Sequence, residues 1–263
     1  MRVCLLASGS RGNTALVEAD GCRLLIDAGL SAREADRRLA TLGLSGNDIH
    51  AILVSHEHHD HVCGIGPLAR RYGLPVYIDS ETVNHLPKLG TIDDLRLFSA
   101  GDRFAFRDLT IDSFATAHDA VNPVGFAIDS SEGRVGFATD LGVATRLVAE
   151  RLKSCRVLVL EANHDEQMLL AGPYPWKLKQ RIRSRLGHLS NVDAVRLLSE
   201  ICWEGLEAVF VAHLSAENNC PDLAASLIET ALTEQGLCRP RIVVGQQAYA
   251  SSCFIGRPLP ETA

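Results

Sequence analysis

One short segment of the chain, Ser55 to His61, concentrates side chains that bind metal ions. It carries three imidazoles and one carboxylate in the order His56-x-His58-x-Asp60-His61. Alternate residues of an extended segment point to the same side, so His56 and His58 can bind one ion. The turn that follows directs Asp60 and His61 towards a second ion. Imidazole and carboxylate ligands together suit zinc, manganese or iron(II).

The elements that position this segment are predicted to be short strands and amphipathic helices. The wholly apolar run Ala51 to Val54 precedes the segment and is typical of a strand buried on both faces. Other strand patterns, bounded by Gly, Ser, Asn or Asp, cover residues 3–7, 15–18, 23–27, 75–78, 104–106, 109–116, 124–128, 135–139, 156–160 and 208–212. Helical periodicity follows a capping box of Ser31 and Glu34, and returns at residues 143–152, 191–202 and 223–232.

Sheets in mid-chain with helices at both flanks predict a layered α/β (α+β) structure. We expect a single domain over residues 1–263, with a flexible tail over residues 256–263. The early turn from Gly9 to Asn13 lacks the lysine of a phosphate-binding P-loop. A tight turn between the first two strands is one interpretation of it, and a contact to phosphate is the other.

The order H-x-H-x-D-H after an apolar strand resembles the signature of the metallo-β-lactamase superfamily. The resemblance implies a four-layer αββα sandwich with two metal ions at one edge of its two sheets. It also implies that His118 completes the first ion's ligands, that His213 completes the second's, and that Asp140 bridges both. Asp112, Asp119 and Asp129 are alternatives to Asp140. Asp27 resembles a residue that supports a ligand by a hydrogen bond, whereas His59 is expected to point away from the ions.

Two adjacent metal ions share a hydroxide, lower its pKa and stabilise the charge that grows on a phosphoryl or acyl oxygen. The metal set alone does not distinguish thioesters, lactams and phosphodiesters. Further histidines at expected sheet edges favour a phosphodiester, because His164 and His188 could bind phosphate or protonate the leaving oxygen. Together with Asp60, these two histidines are the catalytic candidates.

Basic and polar side chains supply candidate contacts to a nucleic-acid substrate. The segment from Trp176 to Arg185 holds five basic residues and no acidic one, although the chain has a formal net charge of −6. An ordinary solvated helix face is the alternative interpretation of this segment. The candidate contacts in and beyond it are Lys177, Lys179, Arg181, Arg183, Ser215 and Asn218.

Motifs along nearly the whole chain look like the YycJ/WalJ-like branch of the superfamily, which is similar to ribonuclease Z and to cyclic phosphodiesterases. They are Leu6-Ala7-Ser8-Gly9-Ser10-x-Gly12-Asn13, Asn163-His164-Asp165, Gly187-His188-Leu189-Ser190-Asn191 and His213-Leu214-Ser215-x-Glu217-Asn218-Asn219. The resemblance implies a 5′-to-3′ exonuclease that uses zinc or manganese and acts on DNA rather than RNA. A small-molecule hydrolase of the same fold, such as a cyclic phosphodiesterase or a glyoxalase-like thioesterase, is the alternative. A metal-binding regulatory protein without turnover is a third.

Composition restricts where such an enzyme acts. Hydrophobic residues make up 46% of the 263 residues, which is enough for a full core. We expect no secretory signal and no transmembrane segment, because no apolar run approaches the length that spans a bilayer. The eight cysteines are scattered singly, which is typical of reduced thiols in a cytoplasmic protein. The sequence gives no information on oligomeric state.

Overall fold

The structure is a computed structural model and describes residues 1–256. The predicted tail over residues 256–263 lies, except for Gly256, outside the described residues. The strands are β1 (Arg2–Ala7), β2 (Thr14–Ala19), β3 (Cys22–Ile26), β4 (Ala51–Leu53), β5 (Val76–Asp79), β6 (Leu95–Phe98), β7 (Arg103–Phe106), β8 (Leu109–Ala115), β9 (Val124–Ser130), β10 (Gly133–Ala138), β11 (Val157–Glu161), β12 (Ala208–Ala212), β13 (Arg241–Val244) and β14 (Phe254–Ile255). The helices are α1 (Ala32–Thr41), α2 (His59–Val62), α3 (Ile65–Tyr72), α4 (Arg146–Leu152), α5 (Glu166–Ala171), α6 (Trp176–Ile182), α7 (Asn191–Ile201) and α8 (Pro221–Gln235).

The strands form two seven-stranded sheets. The first has the order β14-β1-β2-β3-β4-β5-β6, and the second has the order β13-β12-β11-β10-β9-β8-β7. β1, β2 and β3 pair antiparallel, while β3, β4, β5 and β6 pair parallel. In the second sheet β10, β11, β12 and β13 are parallel. Parallel strands end at the same sheet edge, so the loops that follow them gather there.

Alternation along each strand divides the buried side chains between two faces. In β12, Phe210 faces the core between the two sheets, whereas Val209 and Val211 pack against helices on the outer side. α4, α7 and α8 cover the outer face of the second sheet, while α1 and α3 cover that of the first. The result is the four-layer αββα sandwich that the sequence predicted.

Most predicted elements are confirmed to within a few residues. The capping box is present in part, since the Ser31 hydroxyl accepts a hydrogen bond from the Glu34 backbone N–H. α4 begins at Arg146, three residues later than predicted, because Thr145 caps its first turn. α8 begins two residues earlier, at Pro221, where proline suits the first helical position. The elements that were not predicted are α2, α3, α5, β6, β13 and β14. Within residues 1–256, no helix is both long enough and apolar enough to cross a membrane.

Candidate metal centre

Seven side chains from four separate segments of the chain converge at one edge of the two sheets. Their potential ligand atoms fall into groups, and within each group the atoms lie within 4.8 Å of one another. The groups that concern the seven residues are His56, His58 and His118; Asp60, His61 and His213; His56, His61 and Asp140; and Asp140 and His213 together with Glu161 and His188. The structure therefore brings together all seven residues that the sequence proposed as ligands. His59, in contrast, is exposed and belongs to none of these groups.

Within residues 1–256, two buried polar atoms of this cluster have no hydrogen-bond partner: Asp140 Oδ2 and His213 Nε2. An unpartnered buried polar atom costs free energy, so native structures pair nearly all of them. Both atoms belong to side chains of the candidate ligand set. A divalent cation accepts donation from a carboxylate oxygen and an imidazole nitrogen alike. The donor set and the two unpartnered atoms therefore fit bound metal.

Asp140 lies between the two histidine groups. Its Oδ2 is 3.3 Å from His61 Nε2, and its Oδ1 is 3.8 Å from His118 Nε2. Each oxygen therefore faces a different group, which is the arrangement that a carboxylate needs to bridge two cations. Asp112 and Asp129, by contrast, pair with Arg134 on β10.

The protein orients three imidazoles through their second ring nitrogen. His61 Nδ1 lies 2.7 Å from Asp27 Oδ2, and His118 Nδ1 lies 2.9 Å from the Gly187 carbonyl oxygen. His213 Nδ1 lies 2.9 Å from Glu161 Oε1. Each Nδ1–H donates to its oxygen, which directs Nε2 towards the other ligands and fixes the plane of the ring. The hydrogen bond from His61 to Asp27 is the contact through which Asp27 would support a ligand, as the sequence predicts.

Glu161 is a fully buried carboxylate that connects several parts of the centre. Its Oε1 accepts hydrogen bonds from both His188 Nδ1, at 2.8 Å, and His213 Nδ1. Its Oε2 accepts from the backbone N–H groups of Leu141 and Leu189. Each oxygen of Glu161 therefore already accepts two hydrogen bonds from the protein. Although Glu161 lies close to Asp140, we regard it as a support for the ligands rather than a ligand itself.

The early turn contacts the end of the metal-binding segment. Asn13 Nδ2 lies 3.1 Å from Asp60 Oδ2 and 3.0 Å from His61 Nε2. The Asn13 backbone N–H also donates to the Asp60 carbonyl, and a Cβ on Gly29 would clash with that same carbonyl. The backbone of Gly29 therefore has to approach without a side chain. The turn joins β1 and β2, its asparagine contacts the site, and its Ser10 lines the cleft beside the site.

Three residues of the site adopt left-handed backbone angles, which are unfavourable for residues other than glycine. Their φ angles are 59° at Asp27, 57° at Asp140 and 54° at His213. Each follows the end of a strand and turns its side chain back towards the sheet edge. Backbone strain of this kind persists where the surrounding structure holds it, and it concentrates at functional sites.

Burial and neighbouring charges move the pKa values of the histidines in opposite directions. Burial, together with the adjacent imidazoles, holds the pKa of His56 well below its usual value. Burial also opposes charge on His61, but the carboxylates of Asp140 and Asp27 outweigh it and raise its pKa to about 9. Burial likewise opposes charge on His213, but the carboxylates of Asp140, Asp60 and Glu161 outweigh it and raise its pKa. Cations that bind here must therefore displace protons.

A cleft of about 240 Å³ opens onto the cluster. Its polar lining includes five of the proposed ligands together with His188 and Ser215. Arg181 lies at the cleft, and its Nε donates to Asp119 Oδ2 at 2.5 Å. Lys177 and Arg183 are exposed on or beside α6 but do not line the cleft. Of these candidate DNA contacts, Arg181 therefore lies at the cleft, whereas Lys177 and Arg183 lie outside it.

Three predicted site residues need correction. Lys179 is only 8% exposed, and its Nζ donates to the carbonyls of Leu170 and Gly172, so it cannot reach substrate. Asn218 is fully buried and contacts Ser215 Oγ through its backbone N–H. His164 is 2% exposed and is absent from the lining of the cleft, so the structure does not support a catalytic role. The sequence could not reveal these burials, because all three lie in polar segments.

Sequence reasoning missed Glu161, Asn13 and Tyr174 as site residues. An acidic residue at the end of a wholly apolar strand was a signal for Glu161, since a buried carboxylate needs several donors. Asn13 and Tyr174 carry no such signal, because turns commonly contain asparagine and the segment around Tyr174 has no periodic pattern.

The chain matches the family described as the beta-lactamase superfamily domain over residues 22–213. It is 39% identical over 235 residues to exodeoxyribonuclease YycJ from Bacillus anthracis, covering 88% of this chain and 89% of that protein. It is 35% identical over 262 residues to exodeoxyribonuclease WalJ from Streptococcus pneumoniae, covering 98% and 96%. The metallo-β-lactamase fold protein YhfI from Bacillus subtilis superposes with a TM-score of 0.71 at 17% identity, over 95% of this chain and 98% of YhfI. The chain therefore belongs to the metallo-β-lactamase superfamily of metal-dependent hydrolases and, within it, to the family of YycJ and WalJ.

Proposed function

We propose that this protein is a two-metal exonuclease that degrades DNA from the 5′ end. The observation that carries the proposal is the pair of buried, unpartnered atoms Asp140 Oδ2 and His213 Nε2 among the clustered imidazoles. The similarity to YycJ and WalJ over most of the chain supports DNA as the substrate. The two sheets form a single domain in this proposal, which is supported by one family match, over residues 22–213, that includes strands of both sheets. Its eight free cysteines support a cytoplasmic location.

The ligands divide between two cations, each of which is zinc or manganese. His56, His58 and His118 would hold one, Asp60, His61 and His213 would hold the other, and Asp140 would contact both. When bound, such a pair supplies a hydroxide nucleophile at neutral pH and stabilises charge on the phosphoryl oxygens.

His188 is suited to deliver a proton to the leaving oxygen. Its Nδ1 contacts Glu161 Oε1 at 2.8 Å, so Nε2 is the ring nitrogen left for substrate in the cleft. Burial alone would raise the pKa of Glu161, but the imidazoles of His188 and His213 lower it, and the carboxylate stays charged. The hydrogen bond to this carboxylate fixes the plane of the His188 ring and directs Nε2 towards the cleft, where it can donate a proton to the leaving oxygen.

The remaining cleft residues bind the DNA backbone. Arg181 can exchange its ion pair with Asp119 for a phosphate, since both side chains are partly exposed. Ser215 lines the cleft, and its backbone N–H donates to the Asn163 carbonyl, which fixes its position. Lys177 and Arg183 lie farther out and attract the strand through charge.

Digestion of 5′-phosphorylated single-stranded DNA by the metal-depleted protein, supplemented with manganese or zinc, tests this function. We expect release of mononucleotides from the 5′ end, loss of activity in His58→Ala and Asp140→Asn, and normal activity in His59→Ala. His59 is the matched control, because it is an exposed neighbour outside the cluster. Absence of nucleotide release with either metal contradicts the proposal. Hydrolysis of bis(p-nitrophenyl) phosphate without DNA cleavage would indicate a small phosphodiester instead.

A further inference from the structure

The cleft has two chemically unlike walls. One wall consists of metal-binding and polar side chains, which suit a phosphate. The other consists of Tyr174, Leu178 and Ile182, which lie on α6 or just before it. Leu178 and Ile182 are four residues apart and so share one face of the helix. A phosphate needs no such apolar surface, so this wall requires a separate explanation.

The segment that carries Tyr174 is held firmly on both sides. Lys179 Nζ donates to the carbonyls of Leu170 and Gly172, each at 2.7 Å. The Gly172 N–H donates to the Met168 carbonyl, and the Leu178 N–H donates to the Pro175 carbonyl. The tyrosine ring is therefore mounted on a fixed backbone, which lowers the entropy that is lost when a ligand packs against it.

An aromatic ring and two branched aliphatic side chains, in the same cleft as the metal-binding and polar groups, match the two halves of a nucleotide. Bases stack on tyrosine whatever their identity, because every base has a π-face. The rim cation Arg181 lies on the same helix face as Leu178, in reach of the adjoining phosphate.

We propose that Tyr174, with Leu178 and Ile182, stacks on the base of the terminal nucleotide while its phosphodiester occupies the metal centre. The inference rests on the proposed nuclease function and specifies its substrate as an unpaired DNA end. A base that contacts Tyr174 has left the helical stack, so a paired terminus must first fray at a cost of a few kcal/mol. The contact between the terminal base and Tyr174 therefore favours single-stranded DNA ends over paired ones.

A double-mutant cycle tests this contact directly. The two changes are Tyr174→Ala in the protein and removal of the terminal base from a 5′-phosphorylated single-stranded oligonucleotide. Each change alone should lower kcat/KM by about 5- to 150-fold, the range that base stacking on an aromatic ring gives. The two together should lower it no further, because they remove the same interaction. Independent, multiplying losses would overturn the proposal.

Two variants separate stacking from a merely structural role. Tyr174→Phe keeps the ring and should keep wild-type kcat/KM and the same sensitivity to base removal. Tyr249→Ala, at an exposed tyrosine outside the cleft, should change neither. If Tyr174→Ala does not fold, Tyr174→Leu keeps the apolar volume without the ring and enters the cycle in its place. Equal losses in Tyr174→Phe and Tyr174→Ala would contradict stacking.

Failure of the nuclease proposal can be told from failure of this one. If no metal supports cleavage, the same cycle is measured on binding of the two oligonucleotides by fluorescence anisotropy. Coupling between Tyr174 and the terminal base would then uphold the stacking site and leave the function open to revision. Binding that is unaffected by either change would overturn the stacking site.

Discussion

Asp27 and His61 form a fully buried pair in which a carboxylate oxygen lies 2.7 Å from the ring nitrogen Nδ1. The same carboxylate accepts hydrogen bonds from the backbone N–H and the hydroxyl of Ser55, immediately before the metal-binding segment. One side chain thus fixes both the start of that segment and the orientation of a ligand within it. Such support outside the ligand set raises the affinity for metal.

Asp27→Asn should weaken metal binding by about 10- to 100-fold, because the amide does not orient His61 as a carboxylate does. Asparagine tolerates the left-handed angle at this position, so the fold should be kept. Competition with a chromogenic chelator measures the affinity. Asp20→Asn is the matched control, since Asp20 has a φ angle of 48° but lies outside the cluster. Equal affinity in the two variants would contradict a role for Asp27.

Glu161→Gln should lower kcat by about 100-fold, within the range of general acid–base catalysis. Glutamine keeps the size of the side chain but removes the carboxylate oxygen that accepts the hydrogen bond from His188 Nδ1. Glu161 also orients His213, so its loss affects more than His188. The double variant Glu161→Gln/His188→Ala should nevertheless be no less active than Glu161→Gln alone, because that variant already lacks the support of His188. Steady-state kinetics on DNA measures both. Glu166→Gln, at an exposed position on α5, should be silent. Multiplying losses would show that Glu161 does not act through His188.

The sequence predicted the ligand loops because each follows a short apolar strand. β4, β8, β10 and β12 all end just before a proposed ligand, and parallel or adjacent strands bring their ends to one edge. The pairing of the strands into two sheets and the helical layers could likewise be anticipated from the pattern and the family resemblance. The proximity of the seven ligands then follows from the fold.

The supporting contacts could not be predicted, because they join residues far apart in the chain. Glu161 reaches His213 across 52 residues, and Asn13 reaches Asp60 across 47. Lys177 and Lys179 look alike in sequence, yet one is exposed and the other is buried. α6 has only seven residues, which is too short for hydrophobic periodicity to define its inner face. Which lysine faces solvent is therefore known only from the structure.

This difference between the basic residues has a measurable consequence for DNA binding. Arg181→Gln should reduce the slope of log K against log salt by about 0.7, the value for one phosphate contact on a single strand. Lys179→Met should leave the slope unchanged and lower stability instead, since it removes a donor from two carbonyls. Anisotropy titrations at several salt concentrations, in the inactive Asp140→Asn background, measure the slopes. An equal change of slope in both variants would contradict the placement of Lys179.

The buried imidazole of His164 should make stability depend on pH. Burial lowers its pKa from 6.5 to about 4, and the opposing charge of Glu161 offsets only part of this effect. Because the unfolded chain binds the proton more readily, the contribution is complete above about pH 6.5 and is lost as the pH falls towards 4. At 1.36 kcal/mol per pH unit, the loss is about 3 kcal/mol.

His164→Gln lacks the titrating group, so its free energy of unfolding should fall less between pH 7 and pH 4 than that of the wild-type protein, by about 3 kcal/mol. Urea denaturation at several pH values, with metal removed, measures the difference. Removing metal matters because protons compete with cations at the ligands, and that competition would add its own pH dependence. Parallel pH profiles of the two proteins would mean that His164 takes up a proton as readily in the folded protein as in the unfolded chain.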